Sequence, residues 1–137
     1  QVMMQKDGYT CICLDEMHLF LRNPYMRKLL QSSVYRARKY NGMIGCCTQR
    51  VLQCLNSEYD EEVSAILDMS PTKFLFHPGP VDHDVIKDKL KLTDGESNYI
   101  SNSHKGHCLV MAGHERYAVH IGKMPHEDAL FGSGGGR

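Results

Sequence analysis

The most restrictive feature of this sequence is an apolar run, GYTCICL at residues 8–14, that ends in two adjacent carboxylates, Asp15 and Glu16. A short continuous apolar run with β-branched residues, following a glycine, predicts a strand that is buried on both faces. Such strands are typical of parallel sheets covered by helices. Two carboxylates at this position are either a solvated strand end or, at the carboxyl edge of an open parallel sheet, part of a ligand site.

The segment at residues 22–42 is the clearest helix in the sequence. We expect Asn23 to cap it, Pro24 to occupy its first turn and Gly42 to close it. Its last turn is rich in cations, which suit the negative end of a helix dipole.

Further strand and helix patterns follow along the chain. Thr93 and Glu96 have the spacing of a capping box at the start of a late helix. This order predicts one α/β domain, a parallel sheet flanked by helices with a C-terminal antiparallel hairpin. The remaining predictions are strands at MIGCCT (43–48) and TKFLFH (72–77), helices at RVLQCLN, DEEVSAILDM and VDHDVIKDKLKL, and a hairpin of GHCLVMAG and ERYAVHIG.

Composition narrows the class of protein. The length of 137 residues fits one domain. Because 16 basic residues balance 16 acidic ones, the net charge gives no electrostatic argument for binding to nucleic acid or to a membrane. No apolar run reaches the roughly 20 residues that span a bilayer. The six cysteines lie in apolar strand-like and helix-like segments, which predicts buried thiols in a reducing compartment such as the cytoplasm. They are Cys11, Cys13, Cys46, Cys47, Cys54 and Cys108.

A second polar pair, Thr48 and Gln49, follows the strand MIGCCT, and Arg38 precedes Gln49 by eleven residues. The segments DEMHLF, RARKYNG, TQ, KFLFHPG and GHCLVMAG together resemble the C-terminal ATPase domain of the VirB-type (TraC/TraE-like) assembly ATPases of type IV secretion and conjugation. These enzymes belong to the HerA/FtsK-like branch of the RecA-fold motor ATPases. The resemblance runs from about residue 9 to about residue 131, nearly the whole chain.

The resemblance implies a role for each matching residue. Asp15 and Glu16 match the Walker B pair, in which the first acid holds magnesium through water and the second is the catalytic base. Gln49 matches a sensor of the γ-phosphate, and Arg38 matches an arginine finger offered to a neighbouring subunit. The resemblance also implies that Thr48 lies at the nucleotide. Lys39 and Arg116 are weaker matches for the same site.

The resemblance also implies ATP and Mg²⁺ as cofactors, a homohexameric ring, and other type IV secretion components as partners. The implied location is the cytoplasmic side of the bacterial inner membrane, as a peripheral protein. Direct contact with DNA stays open. The sequence begins with Gln1 and contains no G-x-x-x-x-G-K-[ST] loop. We therefore expect this chain to be a piece of a longer protein, and we expect the piece to begin just before the Walker B motif. Residues 1–131 would then be the C-terminal part of a truncated RecA-like domain, inactive alone, and 132–137 a flexible tail.

Other classes of function compete with this interpretation. One alternative is a zinc site, because potential ligands lie close in sequence: His104, His107 and Cys108, with His114 and His120 nearby. Against it, His107 and Cys108 would point to opposite faces of a strand. A second alternative is an enzyme with a cysteine nucleophile, in which Cys46 or Cys47 would act with a histidine. A non-catalytic interaction module with a degenerate RecA-like fold and a DNA-pumping translocase of the HerA/FtsK type remain the two nearest alternatives.

Overall fold

The computed structural model describes residues 8–54 and 60–127. The predicted tail at 132–137 and the last residues of the predicted helix RVLQCLN lie outside this part of the chain. A 3-10 turn, Arg38–Tyr40, joins α2 to β2, and residues 125–127 are helical. The elements are β1 Thr10–Leu14, α1 Met17–Leu21, α2 Pro24–Ala37, β2 Gly42–Cys46, α3 Val51–Cys54, α4 Asp60–Asp68, β3 Thr72–Leu75, α5 His83–Leu90, α6 Asp94–Ser101, β4 His107–Ala112 and β5 Glu115–His120.

The first sheet consists of β1 and β2, which run parallel as the sequence predicts. Their register pairs Thr10 with Gly42 at one end and Leu14 with Cys46 at the other. The chain crosses from β1 to β2 through α1 and α2, which is the length of connection that parallel pairing requires. The two carboxyl ends of these strands therefore lie side by side.

Helix α2 begins where the sequence predicts. The Asn23 side chain accepts hydrogen bonds from the backbone N–H groups of Tyr25 (2.9 Å) and Met26 (3.3 Å), and Pro24 occupies the first turn. The prediction that Gly42 closes the helix is wrong. Asn41 takes the left-handed conformation there, with φ 51°, and Gly42 already begins β2. Asparagine tolerates this conformation well enough to end a helix.

The second sheet is antiparallel, with strand order β3–β4–β5. The hairpin of β4 and β5 confirms the prediction, with His107 opposite His120. The prediction that β3 extends the parallel sheet is wrong, because β3 pairs antiparallel with β4, Thr72 opposite Ala112. Alternation of strands and helices predicts parallel pairing only when each strand returns to the same sheet, and β3 instead joins the hairpin.

The capping box at the start of α6 is confirmed. The Thr93 hydroxyl accepts from the Glu96 N–H at 3.3 Å, and the Glu96 carboxylate accepts from the Thr93 N–H at 2.7 Å. Arg116 on β5 lies 3.4 Å from the same carboxylate, joining α6 to the antiparallel sheet. The Thr93 backbone hydrogen bond, chiefly, holds the pKa of Glu96 below its ordinary value.

Two apolar cores correspond to the two sheets. The first packs α1, α2, α3 and α4 against β1 and β2, and the second packs α5 and α6 against β3 and β4. The buried residues of the first are Met17, Leu21, Leu30, Cys54, Val63 and Ile66, and those of the second are Ile86, Leu92, Ile100, Leu109 and Met111.

The prediction of uniformly buried cysteines is wrong. Cys54 and Cys108 are buried and Cys46 is half-buried, but Cys11, Cys13 and Cys47 are exposed. Side chains alternate between the two faces of a strand, and β1 turns Leu14 towards the first core and its cysteines away from it. No element among residues 8–54 and 60–127 covers that outer face, so β1 is not buried on both faces in this structure.

Within the described ranges, no helix combines the length and the apolar composition needed to cross a membrane.

Candidate functional site

The carboxyl ends of β1 and β2 are held together beyond the strands themselves. The Cys47 N–H donates to the Leu14 carbonyl at 2.8 Å, and the Met17 N–H donates to the Cys47 carbonyl at 2.8 Å. These two bonds enclose the turn at residues 15–16 and lead directly into residues 48–49. The structure thus brings the predicted pairs Asp15–Glu16 and Thr48–Gln49 to one edge of the parallel sheet.

Asp15 and Glu16 form a sharp turn between β1 and α1. Asp15 is exposed, and its Oδ1 accepts from the Glu16 N–H at 2.9 Å. Glu16 has a left-handed backbone, φ 51° and ψ 50°, and its carbonyl accepts from the Leu19 N–H at 2.9 Å. A left-handed glutamate is strained, and such strain persists only where the surroundings hold it. The two carboxylates are therefore placed by a constrained turn.

A histidine that the sequence analysis did not single out lies at the centre of this edge. His18, in the first turn of α1, is only 7% exposed. Its Nδ1 lies 3.3 Å from Thr48 Oγ1, aligned as a hydrogen bond, and 3.2 Å from Glu16 Oε2. The signal was its position two residues after Glu16, in the helix that leaves the carboxylate turn. The sequence pattern instead suggested the histidines near the β4–β5 hairpin as candidate ligands.

Thr48 is the meeting point of several groups. Its Oγ1 accepts from the Arg50 N–H at 3.2 Å and lies 3.6 Å from Cys54 Sγ. Burial raises the pKa of the Cys54 thiol, and the contact with Thr48 lowers it in part. Gln49, next to Thr48, is exposed. The tip of β2 therefore has one anchored hydroxyl and one solvent-facing amide.

Of the predicted cations, two lie at the surface near the start of β2 and one lies elsewhere. Arg38 and Lys39 are exposed in the 3-10 turn after α2, and Lys39 Nζ lies 5.9 Å from the centre of the Tyr40 ring. Arg116 belongs to β5 in the other sheet, where it contacts Glu96. The structure does not bring Arg116 to the carboxylate turn.

The residues of the zinc alternative are divided between two environments. The His107 and His120 rings stack at 4.3 Å between centroids, whereas Cys108 is fully buried. In the part of the chain that the structure describes, no three His, Cys, Asp or Glu side chains converge to hold a metal ion. For the cysteine-nucleophile alternative, burial raises the pKa of Cys46, which opposes thiolate formation.

The carboxylate turn offers oxygen ligands of the kind that magnesium takes in proteins. Magnesium in proteins is held by one or two carboxylates, with waters and substrate phosphates completing its shell. Asp15 is exposed, and Asp15 Oδ1 is engaged by a backbone N–H of its own turn. Glu16 Oε2 is buried and has no aligned hydrogen-bond partner among the described residues. Such an atom is costly unless a further group satisfies it.

Comparison with solved structures finds a match over most of this chain. The structure of VirB4 of Thermoanaerobacter pseudethanolicus matches with a TM-score of 0.83 and 27% sequence identity, over 90% of this chain and 34% of that chain. This chain is similar to VirB4. It spans about a third of the length of that VirB4 structure. No protein-family model matches the chain, and no curated protein matches it.

The likeness to VirB4 agrees with the resemblance that the motifs indicate. The likeness covers nine-tenths of this chain, so most of the fold is shared with VirB4.

Proposed function

We propose that this chain is the C-terminal part of a RecA-like ATPase domain, in a motor protein that energises type IV secretion or conjugative transfer. The observation that carries the proposal is the turn at Asp15 and Glu16, held against Thr48 and Gln49 at the carboxyl edge of β1 and β2. Ligands of open parallel sheets bind at this edge. The likeness to VirB4 supports the same assignment.

The two carboxylates would divide the work of phosphoryl transfer. Asp15, which is exposed, would hold Mg²⁺ through water, and Glu16 would orient and deprotonate the attacking water. When bound, Mg²⁺ neutralises charge on the phosphate oxygens. Gln49, exposed beside Thr48, would contact the γ-phosphate. Each role matches the side chain's chemistry and its place at the edge.

Arg38 would act on the nucleotide of a neighbouring subunit in a ring, most simply a hexamer. Its guanidinium is exposed at the end of α2 and keeps its charge in any environment. An arginine supplied in trans contributes about 10³–10⁵ in rate in phosphoryl-transfer enzymes. Lys39 is exposed in the same turn and would add positive charge to the same surface.

The phosphate-binding loop would come from residues outside this sequence. Backbone N–H groups of such a loop supply much of the binding of a nucleotide's phosphates, and the sequence has no G-x-x-x-x-G-K-[ST]. The 137-residue chain alone would therefore not hydrolyse ATP. The longer protein would work at the cytoplasmic face of the bacterial inner membrane with other secretion components.

The proposal is tested by phosphate release from ATP, measured on the longer protein and on this chain. We expect Mg²⁺-dependent turnover by the longer protein, loss of turnover in Asp15→Asn, and none by the chain alone. The matched control is Asp68→Asn, an exposed carboxylate at the end of α4. No hydrolysis by the longer protein would overturn the ATPase and favour a non-catalytic module. Turnover stimulated by DNA would instead favour a DNA-pumping translocase.

A further inference from the structure

One buried imidazole connects the two strand tips of the candidate site. His18 Nδ1 lies 3.3 Å from Thr48 Oγ1 and 3.2 Å from Glu16 Oε2, and the residue is 7% exposed. We infer that His18 is a positioning residue, which holds the Glu16 carboxylate and the Thr48 hydroxyl in one fixed arrangement. This inference rests on the proposed function, because it assigns Glu16 as the catalytic base.

The contact with Glu16 decides which state of the His18 ring the inference requires. The Arg50 N–H donates to Thr48 Oγ1 at 3.2 Å and the Cys54 thiol donates to it at 3.6 Å, so the hydroxyl is anchored from two sides. His18 Nδ1 contacts this hydroxyl and also lies 3.2 Å from Glu16 Oε2. Only an Nδ1 that carries a proton can donate to a carboxylate oxygen, so the inference requires a proton on Nδ1.

A purely structural role explains this residue poorly. Met17 and Leu21, its neighbours on α1, are buried apolar side chains of the first core. A buried polar side chain in such a place costs free energy unless it is hydrogen-bonded, so an apolar residue would serve packing alone equally well. What His18 adds is a fixed link between α1 and the tip of β2, across 30 residues of sequence.

Positioning of this kind matters because the base must meet a water at a narrow range of distances. Catalytic groups work when held within about 0.5 Å of their productive geometry by locked neighbours. Glu16 Oε2 has no aligned hydrogen-bond partner among the described residues, and His18 Nδ1 at 3.2 Å is the polar group beside it. Without His18, we expect Glu16 to sample several rotamers while nucleotide binding continues.

The activity test uses matched substitutions in the longer protein. His18→Leu should lower kcat about tenfold or more, with KM for ATP changed less than about twofold, because the lost contact matters in the transition state. Asparagine places an amide near Nδ1 and glutamine places one near Nε2. His18→Asn should therefore recover more kcat than His18→Gln. His114→Leu, at an exposed histidine of the β4–β5 turn, is the control.

A coupling measurement tests the link to Thr48. Thr48→Val should also lower kcat, and combining it with His18→Leu should cost clearly less than the product of the two single effects, since both remove one contact. Multiplicative effects would overturn the shared role. So would a His18→Leu enzyme with normal kcat while Glu16→Gln is inactive. If the unmodified protein lacks ATPase activity, the proposed function itself fails.

A spectroscopic test on the 137-residue chain does not depend on activity. Long-range ¹H–¹⁵N correlation on the histidine-labelled chain, recorded in alkaline solution, reports which ring nitrogen of His18 carries the proton. We expect the proton on Nδ1. A proton on Nε2 would leave Nδ1 as an acceptor facing Glu16 and would overturn the inference.

Discussion

The two sheets of this protein treat their polar groups differently. In the antiparallel half, the capping box of α6 satisfies Thr93 and Glu96, and Arg116 adds an ion pair. In the parallel half, Glu16 has a left-handed backbone, Oε2 of the same residue is buried without an aligned partner, and His18 is buried beside it. The charged side chains of the antiparallel half thus pair with groups of the fold itself, whereas those of the parallel half lie at the carboxyl edge of β1 and β2.

The contrast has an energetic meaning. A buried polar atom without a partner costs about 1–3 kcal/mol, and a residue in a sparsely populated backbone region costs about the same. Glu16 has the strained backbone, and its buried Oε2 has only the unaligned contact with His18 Nδ1. Groups that lower stability persist where they serve a site. We therefore expect substitutions in the antiparallel half to act on stability and those at the carboxylate turn to act on activity.

The largest effect on stability should come from the second core. Ile100 is fully buried on α6, and Ile100→Ala should lower the free energy of unfolding by about 2–5 kcal/mol through lost burial and a cavity. Urea denaturation of the chain measures this. Ile121→Ala, at a residue 50% exposed, should change the free energy by less than about 0.5 kcal/mol. Equal losses at both positions would show that α6 does not seal a core.

A smaller effect should come from the capping box. Thr93→Ala removes a cap and should cost about 1 kcal/mol of unfolding free energy near neutral pH. Because the pKa of Glu96 is lowered in the folded chain, its stabilising contribution is present above its unfolded pKa and is lost as pH falls through the folded pKa.

The pH dependence gives this prediction its control. The stability of Glu96→Gln, which removes the titrating carboxyl, should fall less steeply than that of the unmodified chain as the solution is acidified below the ordinary glutamate pKa of 4.5. Asn98→Ala, at an exposed residue of the same helix, should keep the original pH dependence. Parallel curves for Glu96→Gln and the unmodified chain would contradict the role of Glu96.

Features that depend on neighbouring residues were predictable from the sequence. The Asn23 cap, the Thr93–Glu96 box and the β4–β5 hairpin are set by short-range bonding, and all three are present. The adjacency of the Asp15 and Thr48 segments was also predictable, because parallel strands meet at their carboxyl ends.

Features that depend on distant residues were not predictable. The partner of β3 is chosen by pairing with β4, more than 30 residues later, and its local pattern contains no information on this. Asn41 and Gly42 both suit a left-handed helix end, so composition could not decide between them. The role of His18 depends on Thr48, 30 residues away, which no local pattern marks.

The most direct test of the contrast compares two glutamates, Glu16 and Glu96, each changed to glutamine. ATP turnover is measured on the longer protein and unfolding free energy on the chain. Glu16→Gln should lower turnover about 100-fold or more and leave stability within about 0.5 kcal/mol. Glu96→Gln should leave turnover within about twofold and cost about 1 kcal/mol of stability. Equal loss of turnover in both variants, or a Glu16→Gln chain destabilised as much as Glu96→Gln, would contradict the account.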